Sequence, residues 1–272
     1  MIIGNREFKD KNKTYIMGIL NVTPDSFSDG GRYYTTDKAL YHAEEMIRDG
    51  ADIIDVGGES TRPGYVKIGT DEELKRVLPV VEALVREFDI PVSVDTYRSI
   101  TAEEVLATGA ALINDIWGLR YADNETPMAE VVAKYDSSVC IMHNNVKGYV
   151  SGIDEIVTEL EESVDIAIKA GIKRDRIMID PGVGFAKDYD MNMSVIANLS
   201  EFGKLGFPVL LGTSNKSVIG KTLDLPADDR LEGTLATTAM AIISNCSFVR
   251  VHDVKSNKRY IDMLEGILKY KM

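Results

Sequence analysis

Asp95, Asn114 and Asp180 each end an apolar, β-branched run, and each offers oxygen acceptors. A carboxylate accepts two parallel hydrogen bonds from an amidine-like N–C–N edge. Three such groups around one mouth would grip a flat heterocycle that carries such an edge. Arg62, Lys216, Arg250 and His252 form a second set, with Thr61 and Ser214 adding hydroxyls. Arg makes bidentate contacts to phosphate and Lys acts as a point charge, so converging cations suggest a phosphate or pyrophosphate site. The histidines His42, His143 and His252 lack zinc-type spacing. The metal expected is Mg²⁺, bound mainly by substrate phosphates with one or two protein oxygens, and Asn21 is the candidate ligand. Gly220-Lys221-Thr222 invites a P-loop reading, but Asn215 stands where that loop requires glycine.

The elements that must position these residues repeat. Apolar runs at 15–21, 52–57, 91–96, 111–116, 138–143, 177–180, 208–214 and 248–252 alternate with helically spaced stretches such as 37–49, 72–88, 99–108, 153–170 and 231–243. Strands separated by helices of this length pair in parallel through right-handed crossovers. Eight units in one chain predict an α/β fold, a single closed (β/α)8 TIM barrel spanning residues 1–272 as one domain. The residues before Tyr15 are expected to form a β-hairpin under the barrel floor. Active sites of this fold lie at the C-terminal strand ends. Those ends read Asn21, Glu59, Asp95, Asn114, His143, Asp180, Lys216, and Arg250 with His252. The period of two places Phe248, Arg250 and His252 on one face, as it does Ser93 with Asp95 and Met178 with Asp180. An inward Asp or Arg is costly alone, so these groups should pair with each other or with a ligand. Two βα loops exceed the usual ~2–6 residues: one follows Asn21 and carries Phe27, the other opens at Gly57 and carries Arg62. Both read as closing lids.

The bulk properties narrow the function further. The 272 residues are 44% hydrophobic and 27% charged, and Lys+Arg 31 against Asp+Glu 43 gives a net charge of −12. This acidic balance argues against nucleic-acid or anionic-membrane partners, and any anionic substrate needs the local cation set described above. No secretory signal is visible at the start and no apolar run approaches ~18 residues. Cys140 and Cys246 lie in apolar runs and read as buried free thiols in a reducing cytoplasm.

The runs Asn21-Val22-Thr23-Pro24-Asp25-Ser26-Phe27-Ser28-Asp29-Gly30-Gly31, Gly57-Gly58-Glu59-Ser60-Thr61-Arg62-Pro63-Gly64, Ser93-Val94-Asp95-Thr96, Asn114-Asp115, Asp180-Pro181-Gly182-Val183-Gly184-Phe185 and Arg250-Val251-His252-Asp253 resemble the dihydropteroate synthase family in order and spacing. The resemblance implies condensation of a dihydropterin pyrophosphate with p-aminobenzoate through an SN1-like loss of pyrophosphate. It implies that Asp95, Asn114, Asp180 and Lys216 hold the pterin, and that Thr61, Arg62, Ser214, Arg250 and His252 hold the pyrophosphate. Phe27, Pro63 and Ser217 would line the p-aminobenzoate pocket, and Asn21 would contact Mg²⁺. Asp95, Lys216, Arg62 and Asp25 are the residues expected to act in the chemistry, Asp25 by bracing its lid. A homodimer is implied as well. Asn215 departs from the family, where many members carry Arg in a Ser-Arg-Lys run, and Asn144-Asn145 falls in a variable stretch. One rival is a pterin-binding barrel methyltransferase using methyltetrahydrofolate, which would not need the anion site. The others are a Schiff-base aldolase on Lys216 and a pterin-binding module without turnover.

Overall fold

The computed structural model describes residues 1–9, 13–23, 32–59, 67–122, 126–145 and 150–270. An antiparallel hairpin of β1 (Ile2–Ile3) and β2 (Arg6–Glu7) comes first. The barrel strands are β3 (Tyr15–Asn21), β4 (Ile53–Gly57), β5 (Val92–Asp95), β6 (Leu112–Asp115), β7 (Ser138–Met142), β8 (Ile177–Asp180), β9 (Leu210–Leu211) and β10 (Phe248–Val251). They form one parallel sheet in the order β8-β7-β6-β5-β4-β3-β10-β9, and a bridge between Ile179 and Val209 closes the ring. The helices between them are α1 (Arg32–Asp49), α2 (Thr70–Glu87), α3 (Ser99–Thr108), α4 (Met128–Lys134), α5 (Ile153–Lys169), α6 (Tyr189–Ala197), α7 (Leu199–Gly203), α8 (Ser217–Leu223), α9 (Leu231–Ile243) and α10 (Val254–Leu268). The expected (β/α)8 barrel with its N-terminal hairpin is the fold of this chain.

Side chains alternate along each strand, so every strand presents one row to the helices and one to the barrel axis. The outward row, with Ile54, Val56, Val94, Ile113, Val139, Ile141, Ile179 and Val249, joins the helix faces in one continuous apolar layer. The inward row starts with a separate apolar plug of Met17, Ile53, Leu112, Cys140, Met178, Leu210 and Phe248, closed from below by Ile3 of the hairpin. Phe8 packs edge-on against Tyr15 at 4.8 Å between ring centroids, which fastens the hairpin to the floor.

Two expectations need correction. The seventh barrel strand is confined to Leu210–Leu211 with a bridge at Val209, and the chain leaves the sheet before Gly212. His143 does not face the mouth. It follows Met142 in the same parity as Val139 and Ile141, so its ring turns outward and meets Glu159 of α5.

Candidate active site

Above the apolar plug the inward row turns polar. Arg250, on β10, donates through Nε to Asp55 Oδ2 at 2.6 Å and through Nη2 to Asp95 Oδ2 at 2.7 Å. Ser93 Oγ donates to Asp55 Oδ1 at 2.5 Å, and Asn114 Nδ2 to Asp55 Oδ2 at 3.3 Å. The expected pairing of inward charges is thus present, and its centre is Asp55, a residue the strand-end reading passed over. Its signal was available, because Ile53, Asp55 and Gly57 share a face by the period of two. Burial pushes the Asp95 carboxyl up to about 7; Asp55 and Glu73 reinforce this and Arg250 and Lys216 oppose it. Burial works against the Arg250 charge as well, but Asp55 and Asp95 outweigh it and hold the guanidinium above its usual value. Arg250 therefore reaches the mouth as part of a triad with two carboxylates, the kind of pairing expected of an inward charge.

Asp180 ends β8 next to this triad, and burial raises its carboxyl against the pull of Lys216. The loop after it makes two tight turns. Gly182 has φ +70°, and a Cβ there would lie 2.0 Å from the His143 carbonyl oxygen. Gly184 has φ +89°, and its Cβ would crowd Lys216. Neither position accepts another residue without moving the loop. Lys216 donates to the Val183 carbonyl at 2.5 Å and sits 4.7 Å from the centroid of the Phe185 ring. Burial brings its ammonium down to about 8, partly offset by Asp180. Beneath the loop, buried Lys187 donates to the Gly182 and Phe185 carbonyls, each at 3.0 Å, and meets His143 Nδ1 at 2.8 Å. While Lys187 carries its charge it has no lone pair, so Nδ1 then accepts and the ring proton sits on Nε2, facing Glu159 at 2.9 Å. Burial and the Lys187 charge hold His143 near 3, and burial takes Lys187 down to about 7. This bracing cluster was not legible as such in the sequence.

Ser214 Oγ accepts the His252 backbone N–H at 3.2 Å and lies 2.9 Å from His252 Nδ1, so the two residues predicted for the anion side come together. Ser217 opens α8 and is exposed. Asn215 adopts φ +58°, a left-handed conformation in which asparagine is enriched; its backbone N–H meets Thr234 Oγ1 and its carbonyl accepts from Arg230 Nη1. Asn21 ends β3 beside Gly57, where a Cβ would stand 3.4 Å from Asn21 Oδ1, so the bare glycine keeps room next to that oxygen. Asp25, Phe27, Thr61, Arg62 and Pro63 lie outside the described residues, as do the bodies of both long loops. The second loop is fixed at its feet: Arg98 Nη2 donates at 2.6 Å both to Glu59 Oε2 and to the Ile68 carbonyl, and Nη1 pairs with Glu73.

A closed parallel barrel whose mouth gathers inward carboxylates, amides and cations is built to hold a small polar molecule, and residues 17–252 match the family of pterin binding enzymes. The chain belongs to that family. A dihydropteroate synthase of Clostridium beijerinckii is 50% identical over 271 residues, covering 99% of this chain and 100% of the relative. The crystal structure of the dihydropteroate synthase from Clostridium difficile in the presence of pteroic acid superposes with a TM-score of 0.91 at 49% identity, covering 98% of this chain and 100% of that one. The dihydropteroate synthase of Xanthomonas albilineans with 4-aminobenzoic acid gives a TM-score of 0.89 at 36% identity, covering 95% and 94%.

Proposed function

We propose that this protein is a dihydropteroate synthase, joining a dihydropterin carried as its pyrophosphate to p-aminobenzoate. The observation that carries the reading is the ring of acceptors Asp95, Asn114 and Asp180 around Arg250 and Lys216, inside a barrel of the pterin-binding family. A donor-bearing pterin edge would meet those acceptors, while Ser214, His252 and the loop residues Thr61 and Arg62 would face the diphosphate. Breaking the bond between the pterin methylene and the leaving oxygen places positive charge on the pterin. Preplaced carboxylates stabilise such charge without reorganising, and Asp95 would take that part. The arylamine nitrogen then forms the new bond and releases a proton, and no protein nucleophile is needed.

Among the described residues no cluster of three His, Cys, Asp or Glu side chains could cage a metal. The one oxygen of Asn21 beside open Gly57 fits Mg²⁺ held chiefly by the diphosphate and water. Bound there, Mg²⁺ would neutralise charge on the leaving group. We further read residues 1–272 as one domain of a cytoplasmic homodimer. Buried free Cys140 and Cys246 support the compartment, and exposed Ile243, Met263 and Ile267 on α9 and α10 support a second copy as partner. Among the described residues no helix is long and apolar enough to cross a membrane.

The test is pyrophosphate release from the dihydropterin pyrophosphate with Mg²⁺, with and without p-aminobenzoate. Release that depends on the amine supports the reading. Pterin binding without release in either case removes it.

A further inference from the structure

Asp55 is wholly buried in the middle of β4, one inward step below the mouth. Three donors converge on its carboxylate: Ser93 Oγ at 2.5 Å, Arg250 Nε at 2.6 Å and Asn114 Nδ2 at 3.3 Å. In all three contacts the carboxyl oxygens of Asp55 accept. Only the –NH₂ end of the Asn114 amide can face such a group. The amide is planar, so its oxygen is turned away from Asp55. The same carboxylate holds Arg250 by Nε while Asp95 takes Nη2, which fixes the guanidinium between two strands.

We propose that Asp55 is a specificity-determining positioning residue: it locks Asn114 as an acceptor, so that Asn114, Asp95 and Asp180 together select a heterocycle edge made of donors. The proposal rests on the pterin reading of the site and goes beyond it, because it says why a 2-amino ring is preferred to the ring with a 2-oxo group. An acceptor set confronted with another acceptor leaves buried polar groups unpaired, and such mismatches discriminate strongly. Without Asp55 the amide is free to turn over and the mismatch is relieved.

The experiment is calorimetric binding of 6-hydroxymethylpterin and of its 2-oxo counterpart to the wild type and to Asp55→Asn between pH 5.5 and 8.5, with circular dichroism to establish folding. The wild type prefers the 2-amino ring, and a wild type that binds no pterin removes the reading of the site before the role of Asp55 is tested. In Asp55→Asn the preference falls about tenfold or more, the scale of one charge-assisted hydrogen bond. The pH midpoint of pterin binding also moves down. Among the described residues the charged groups acting on Asp95 are Arg250, Asp55, Glu73 and Lys216, and Asp55 is one of the two carboxylates that raise it. A merely loosened barrel would weaken both ligands alike and leave the midpoint in place. Wild-type selectivity and midpoint in Asp55→Asn overturn the proposal. If that variant does not fold, Asn114→Ala decides: selectivity is lost if the amide oxygen reads the ring, and unchanged selectivity overturns the proposal.

Discussion

On β4, β8 and β10 the lower inward residue is Ile53, Met178 or Phe248, and the next inward residue is Asp55, Asp180 or Arg250. The step between the two levels is two residues, about 7 Å along a strand. The lower level is an apolar plug sealed by Ile3, and it stabilises the barrel by removing surface from water. The upper level contains a largely buried ion triad, whose attraction is offset in good part by the cost of desolvating its members. Arg250 and Phe248 belong to one short strand and face the same way, yet one joins the polar cluster at the mouth and the other the apolar plug. The height of a residue in the barrel therefore says more about its task than its burial does.

Arg250→Met is the strongest test of that separation. It leaves Asp55 and Asp95 without the cation that pairs with both, and breaking a buried pair in this way costs about 3–5 kcal/mol. Urea unfolding should show this loss, and pterin binding should weaken together with pyrophosphate binding. Weakened pyrophosphate binding alone would mean that the arginine acts as a simple anion contact. Phe248→Ala should cost a similar ~3–5 kcal/mol by leaving a cavity, but kcat/KM of the folded fraction should stay within about threefold. A collapse of kcat/KM in folded protein would break the distinction between levels.

Asp180→Asn keeps the shape of the upper level and removes one charge-assisted acceptor, about 1.5–3 kcal/mol. Pterin affinity should fall tenfold or more with a smaller change in urea midpoint, and calorimetry showing unchanged affinity would sink the assignment. The smallest expected effect is the pH dependence. A donor-bearing ligand favours ionised Asp95, so binding releases its proton and strengthens as pH rises towards about 7. Above about 8 Lys216 loses its charge and binding weakens again. Titrations from pH 5.5 to 9.5 should give an optimum between those values, and a flat profile would mean that neither group touches the ligand.

Much of this was legible in the chain. The strands at 15–21 and 177–180 and the helices at 99–108 and 231–243 have the bounds their residues suggested, because apolar periodicity and the turns around them agree. Helices α4, α7 and α8, five to seven residues long, are too short for a helical period to register, and tertiary packing holds them. Asp95 and Asp180 were found because each ends a strand, and Asn114 because it lies one residue from the end of its own. Asp55 was missed because it lies inside one, flanked by Ile54 and Val56, and only its inward partners explain it. His143, read as a strand end, follows the last residue of β7 and continues the outward row.

The ring closure has a temporal side. Arg250 and Asp55 are 195 residues apart in the chain, and β10 is the strand that joins β9 to β3. Contacts of such long sequence separation form late, after the entropy of closing the intervening loop has been overcome. During synthesis the chain emerges from its N-terminal end, so the strands bearing Asp55, Asp95 and Asp180 all precede the arginine that pairs with two of those acids. The barrel gains its last wall and its binding site gains its counter-charge in a single event. A ribosome paused before residue 248 would therefore hold most of the fold and none of the activity.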